Sequence, residues 1–71
     1  MKNIKKLRLQ KKLTQLAVQM SAGIDQALLS KYETGERMPT TENLLTLAKF
    51  YSTSLDYLMD LTDEPKPYTN P

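Results

Sequence analysis

Eight of the ten Lys and Arg residues fall within residues 1–37, at positions 2, 5, 6, 8, 11, 12, 31 and 37, beside only three acids, Asp25, Glu33 and Glu36. Residues 38–71 hold two Lys and five acids (Glu42, Asp56, Asp60, Asp63 and Glu64), so a half of net charge +5 precedes one of −3. Cations gathered this way attract a polyanion through their summed field. A lysine-rich first helix facing solvent is the plainer reading of the same charges. Asp56 and Asp60, one helical turn apart, come nearest to a carboxylate pair for acid–base work, and their ordinary reading is solvated surface. With no His and no Cys, the chain lacks the commonest general base, a thiol nucleophile and the usual zinc ligand sets. No glycine-rich phosphate loop or metal-ligand cluster occurs, and so short a chain offers little cleft. The expectation is a protein that is not an enzyme and has no metal site, no cofactor and no evident small-molecule ligand.

Seventy-one residues allow one small domain with a thin core. Small domains are usually reinforced by disulfides, a metal or a partner subunit, and the missing Cys and His leave the partner subunit. No apolar run is long enough to span a bilayer or to act as a signal peptide, which points to a cytoplasmic protein with no membrane partner.

Apolar residues recur at helical spacing, and no stretch of period-two alternation competes with them. Thr14, Asp25, Thr40 or Thr41, and Ser54 each precede a periodic segment as candidate N-caps, and Gly35 follows one as a left-handed C-cap. The spacing predicts an all-α fold of five short helices over 2–12, 15–22, 26–34, 41–51 and 55–60. A folded domain over 1–61 would then be followed by a flexible tail over 62–71, unless Tyr68 docks somewhere. The second helix, three turn residues around Gly23 and the third helix have the proportions of a helix-turn-helix, with Val18, Ile24 and Leu29 as the pins that set the crossing angle. Such a unit places its second helix in the major groove of DNA. Similar helix pairs also occur in proteins that never touch DNA.

The segments IKKLRLQKKLTQ (4–15), SKYETGERMPT (30–40) and LLTLAKFYSTSLDYLMD (44–60) resemble the phage-repressor and Cro type of helix-turn-helix regulator, also called the xenobiotic-response-element family. The resemblance covers residues 3–61 without insertion. It implies a compact five-helix bundle of the lambda-repressor-like type, usually dimeric, that binds operator DNA and regulates transcription. By the same resemblance Gln15 contacts the DNA backbone and steadies the reading helix, while Gln26, Ala27, Ser30 and Lys31 form that helix's exposed face. Gln26 can pair with adenine N6/N7, Lys31 with guanine O6/N7 or a phosphate, and Ala27, with Leu28 if exposed, can pack on a thymine methyl. Leu28 is equally open to a place in the core beside Leu29. Thr34, Arg37 and Thr40 match loop positions that touch phosphates, and Lys5, Arg8 and Lys12 supplement the positive field. Tyr32 and Glu33 match structural positions, the tyrosine in the core and the glutamate on backbone or an arginine.

Two departures stand out. Gln19 occupies a position usually given to a small residue, and Ala22 one usually given to Leu, so Gln19 needs hydrogen-bond partners if buried. The Ala-Leu-Leu run at 27–29 leaves few polar base readers, so part of the specificity would come from DNA shape. The last helix carries Leu55, Tyr57, Leu58, Met59 and Leu61, more apolar surface than one small monomer covers, and the resemblance implies a two-fold interface there. The plainer reading is that these residues, Leu55 and Leu58 first, complete the monomer's own core. The expected function is a small repressor that binds a near-palindromic operator of double-stranded DNA as a homodimer. The alternative is a protein-interaction module on the same fold, such as an antitoxin, anti-repressor or assembly factor.

Overall fold

The computed structural model describes residues 1–68. Five helices follow in order: α1 (Lys2–Gln10), α2 (Gln15–Ala22), α3 (Gln26–Thr34), α4 (Thr41–Tyr51) and α5 (Leu55–Leu58), with no strand among the described residues. Each cap expected from the sequence is made. Thr14, Asp25, Thr40 and Ser54 accept, through their side chains, the amides of Ala17, Leu28, Asn43 and Tyr57. Gly23 (φ +77°) and Gly35 (φ +83°) end α2 and α3 in the left-handed region, where a side chain would be strained.

Two helices stop short of their expected ends. The periodicity suggested 2–12 for the first, but Lys12 takes φ +57° and the Leu13 amide bonds back to the Arg8 carbonyl, which turns Leu13 onto the core. The last was expected over 55–60 and ends at Leu58, because Asp60 takes φ +62° and reverses the chain. That reversal carries the Asp60 carboxylate to the start of α1, where it accepts the amides of Lys2 and Asn3 at 3.0 Å each. Asp60 is therefore more than the solvated acid that its sequence position suggested: it caps a helix whose own N-cap, Met1, provides no side-chain oxygen.

One core joins all five helices. Ile4 and Leu7 of α1, Val18 of α2, Leu29 and Tyr32 of α3, Leu47 and Tyr51 of α4, and Tyr57 and Leu58 of α5 are buried together with Ile24 from the turn. Leu28, left open by the sequence, lies half-buried against this core. Two side-chain amides pair across elements, with Asn3 donating to the Tyr57 carbonyl at 2.8 Å and Asn43 to the Tyr32 hydroxyl at 2.8 Å.

Residues 62–68 form no regular element, yet they lie against the domain. The buried Thr53 hydroxyl donates to the Pro65 carbonyl at 2.6 Å, and the Tyr68 hydroxyl accepts the Asp56 amide at 3.3 Å. Pro67 and Tyr68 thereby wall an apolar groove whose other side is Leu45, Ala48 and Leu55. Of the tail expected to be flexible, residues 69–71 lie outside the described residues.

Candidate nucleic-acid interface

The α2–turn–α3 unit takes its angle from the three expected pins: Val18, Ile24 and Leu29 are all buried. With Leu29, Tyr32 and Glu33 turned inward, the other face of α3 presents Gln26, Ala27 and Lys31 to solvent, while Ser30 is half-buried beside them. Thr34, Arg37 and Thr40 continue the exposed surface beyond the helix. Two of these three have structural duties as well. The Thr34 hydroxyl donates to the Lys31 carbonyl at 3.2 Å, and Thr40 caps α4 through its hydroxyl oxygen. The Arg37 amide bonds to the Lys31 carbonyl at 3.3 Å, which folds the loop back along the end of α3.

Beneath this surface lies a buried charged cluster. Arg8 of α1 meets Glu33 of α3 at two points, Nε to Oε2 at 2.7 Å and Nη2 to Oε1 at 3.0 Å, and its Nη1 donates to the Leu13 carbonyl at 2.8 Å. Hydrogen bonding to Glu33 raises the Arg8 guanidinium above its ordinary pKa, against the opposing pull of burial. Arg8 thus does not add to the surface field as expected from its place in the basic half. Its charge is neutralised inside the domain, and Lys5 and Lys12 remain exposed. Gln15, at the start of α2, donates from Nε2 to Glu33 Oε1 at 3.1 Å. One carboxylate therefore ties α1, α2 and α3 together.

Gln19 finds the partner it needs: half-buried, it accepts the Gln26 amide on Oε1 at 2.8 Å. Sequence reasoning took Asp60 for solvated surface and did not mark Asn3 or Asn43. Only the capping chemistry of Asp60 could have flagged any of them, and its partners lie nearly the whole chain away.

A helix-turn-helix family model matches residues 4–58. The chain belongs to the Cro/C1-type helix-turn-helix family. This helix-turn-helix protein is 34% identical over 64 residues to YobD of Bacillus subtilis, named as an uncharacterised HTH-type transcriptional regulator, a match covering 90% of the chain and 57% of that protein. It is 40% identical over 57 residues to YqaE of the same organism, named in the same way, covering 80% of the chain and 49% of that protein. The chain spans about half the length of these curated relatives. No solved structure gives a significant match.

The five residues expected at a two-fold interface divide into two groups. Tyr57 and Leu58 are buried in the chain's own core, and are closed to a partner for that reason. Leu55 and Met59 are half-buried, and Leu61 is 69% exposed. No helix of the described residues is long and apolar enough to cross a membrane.

Proposed function

We propose that this helix-turn-helix protein binds double-stranded DNA with α3 in the major groove and regulates transcription, as a repressor that occludes a promoter. The observation that carries this reading is the two-sided character of α3. Its inward face is locked by the core and by the Arg8–Glu33 pair, while Gln26, Ala27 and Lys31 stand outward and Arg37 is exposed in the loop that follows. Gln26 reads adenine and Lys31 guanine or a phosphate. Gln15, Ser30, Thr34 and Thr40 supply backbone contacts that set register rather than sequence preference.

Binding as a homodimer on a near-palindromic operator would set two α3 helices about 34–36 Å apart. The surface available for that contact is Leu55, Met59 and Leu61, of which Leu55 also lines the groove of Leu45, Ala48, Pro67 and Tyr68. A protein-interaction role on this fold is favoured by one observation: Leu16 and Met20, one turn apart on α2, are 51% and 78% exposed. Titration of a labelled duplex separates the two. DNA binding by a dimer with several cationic contacts loses about 10³-fold or more in affinity between 50 and 200 mM salt. Binding that is absent at low salt, or indifferent to salt, transfers the assignment to a protein partner.

A further inference from the structure

Gln19 holds both sides of the turn between α2 and α3. Its carbonyl accepts the Gly23 amide at 2.9 Å, and its side-chain Oε1 accepts the Gln26 amide at 2.8 Å. Gln26 is the first residue of α3, where the opening amides have no partner within the helix. Asp25 satisfies the Leu28 amide and Gln19 the Gln26 amide. A backbone N–H only donates, so the Gln19 side chain must turn its oxygen toward α3 and its Nε2 group away from it. That Nε2 group makes no hydrogen bond among the described residues, and it is not sealed in the core, because Gln19 is only half-buried. A fixed amide donor therefore stands at the mouth of α3, next to the exposed Gln26 and Ala27.

We propose that Gln19 both positions α3 and contacts nucleic acid: its oxygen fixes the first turn of the reading helix, and its Nε2 donates to a phosphate oxygen beside the bases that Gln26 and Ala27 meet. A phosphate is the fitting acceptor, because the first helix of such a unit lies across the DNA backbone. An amide held by its own oxygen needs no further ordering to donate, and such contacts set the register of the helix. This inference rests on the DNA-binding reading above.

Two substitutions and one spectroscopic signature separate the roles. Gln19→Glu keeps the acceptor for Gln26 and removes the donor, whereas Gln19→Ala removes both. Backbone amide exchange at Gln26, followed by NMR, is expected to accelerate about tenfold in Q19A and to stay near wild type in Q19E. On addition of a duplex of about 30 base pairs to the wild type, the Gln19 side-chain amide resonances are expected to shift and exchange more slowly. Both variants should bind that duplex about tenfold or more weakly, the loss of one hydrogen bond to a charged group.

Unmoved side-chain resonances on a wild type that does bind, or Q19E binding as well as wild type, overturn the contact. Unchanged Gln26 exchange in Q19A overturns the positioning role. If Q19A does not fold, Q19E exchange at Gln26 decides the positioning role, faster exchange overturning it. A wild type that binds no duplex even at low salt overturns the DNA-binding reading and the contact together.

Discussion

Arg8 and Glu33 join α1 to α3 through a two-point ion pair, Nε to Oε2 at 2.7 Å and Nη2 to Oε1 at 3.0 Å, and both side chains are almost wholly out of water. Burying two charges carries a desolvation cost that this geometry and the extra bonds to Leu13 and Gln15 offset. The pair is thus a locator more than a source of net stability: it fixes how the outward face of α3 sits against the other two helices.

Breaking one side of the pair leaves the other charge buried without a counter-charge. Glu33→Gln is expected to lower stability by about 3–5 kcal/mol, a large part of what a small domain has. Replacing both, as Arg8→Met with Glu33→Leu, should restore most of that loss. Urea unfolding of the two variants checks this, and equal losses in the single and double variants would show that charge burial is not the cause.

Asp60 is a distant cap on α1. Asp60→Ala is expected to cost about 2 kcal/mol, from the two lost amide bonds and from an alanine held at positive φ. Asp60→Asn keeps an acceptor and tolerates the left-handed region, so it should cost less than about 1 kcal/mol. Thermal unfolding ranks the two, and a reversed order would remove the cap from the account.

These two cases mark where the sequence stopped being legible. Thr14, Asp25, Thr40, Ser54, Gly23 and Gly35 could all be read because each acts on its own neighbours within about four residues. The exposed side of α3 followed from the family resemblance, which assigns Tyr32 and Glu33 to structural positions, and only Leu29 was read from the helix-turn-helix proportions as an inward pin. Asp60 and Lys2 are 58 residues apart, and no local pattern announces that they meet. Gln19 lies between the two kinds. Its misfit beside α3 was visible as a demand for a partner, but which amide would meet that demand depended on the turn. The apolar last helix stayed open in the sequence, because periodicity does not tell whether Tyr57 and Leu58 face their own core, as they do, or a second copy.

Tyr51 has a buried hydroxyl with no hydrogen-bond partner among the described residues. Burial, with the negative charge of Glu33 adding and Arg8 opposing, pushes its pKa from 10.0 up to about 12. Between those values the folded chain holds a proton that the unfolded chain has lost, so stability is fully present below pH 10 and falls as pH rises toward 12. Tyr51→Phe should remove this part of the alkaline loss. At neutral pH it should leave stability equal or slightly higher, because the orphaned hydroxyl goes too. Unfolding curves at pH 7 and across pH 10–12 make the comparison, and a clear loss at pH 7 would mean that the hydroxyl is satisfied in solution.

Leu61 tests the proposed dimer without disturbing the monomer. At 69% exposed, its replacement by Asp should change monomer stability by less than about 0.5 kcal/mol. If the Leu55–Met59–Leu61 surface joins two copies, L61D should shift sedimentation from dimer to monomer. DNA affinity should fall at the same time, because linked half-sites gain effective concentration. A variant that sediments and binds as the wild type does places the contact elsewhere.

The outward face of α3 should divide by chemistry. Lys31 and Arg37 are exposed, and neither forms an ion pair among the described residues, so each has its charge free for a phosphate. Replacing either by Ala should weaken binding to all duplexes alike and reduce the salt slope by about 1, through the counterions no longer released. Gln26 carries no charge and has a different signature. Gln26→Ala should leave the salt slope unchanged, cost about 1–3 kcal/mol on the preferred site and relax the preference at one base pair. Affinities measured at several salt concentrations on a preferred and a scrambled duplex separate the two classes. A Lys31→Ala variant that keeps the slope but loses the preference would move Lys31 from the phosphates to a guanine.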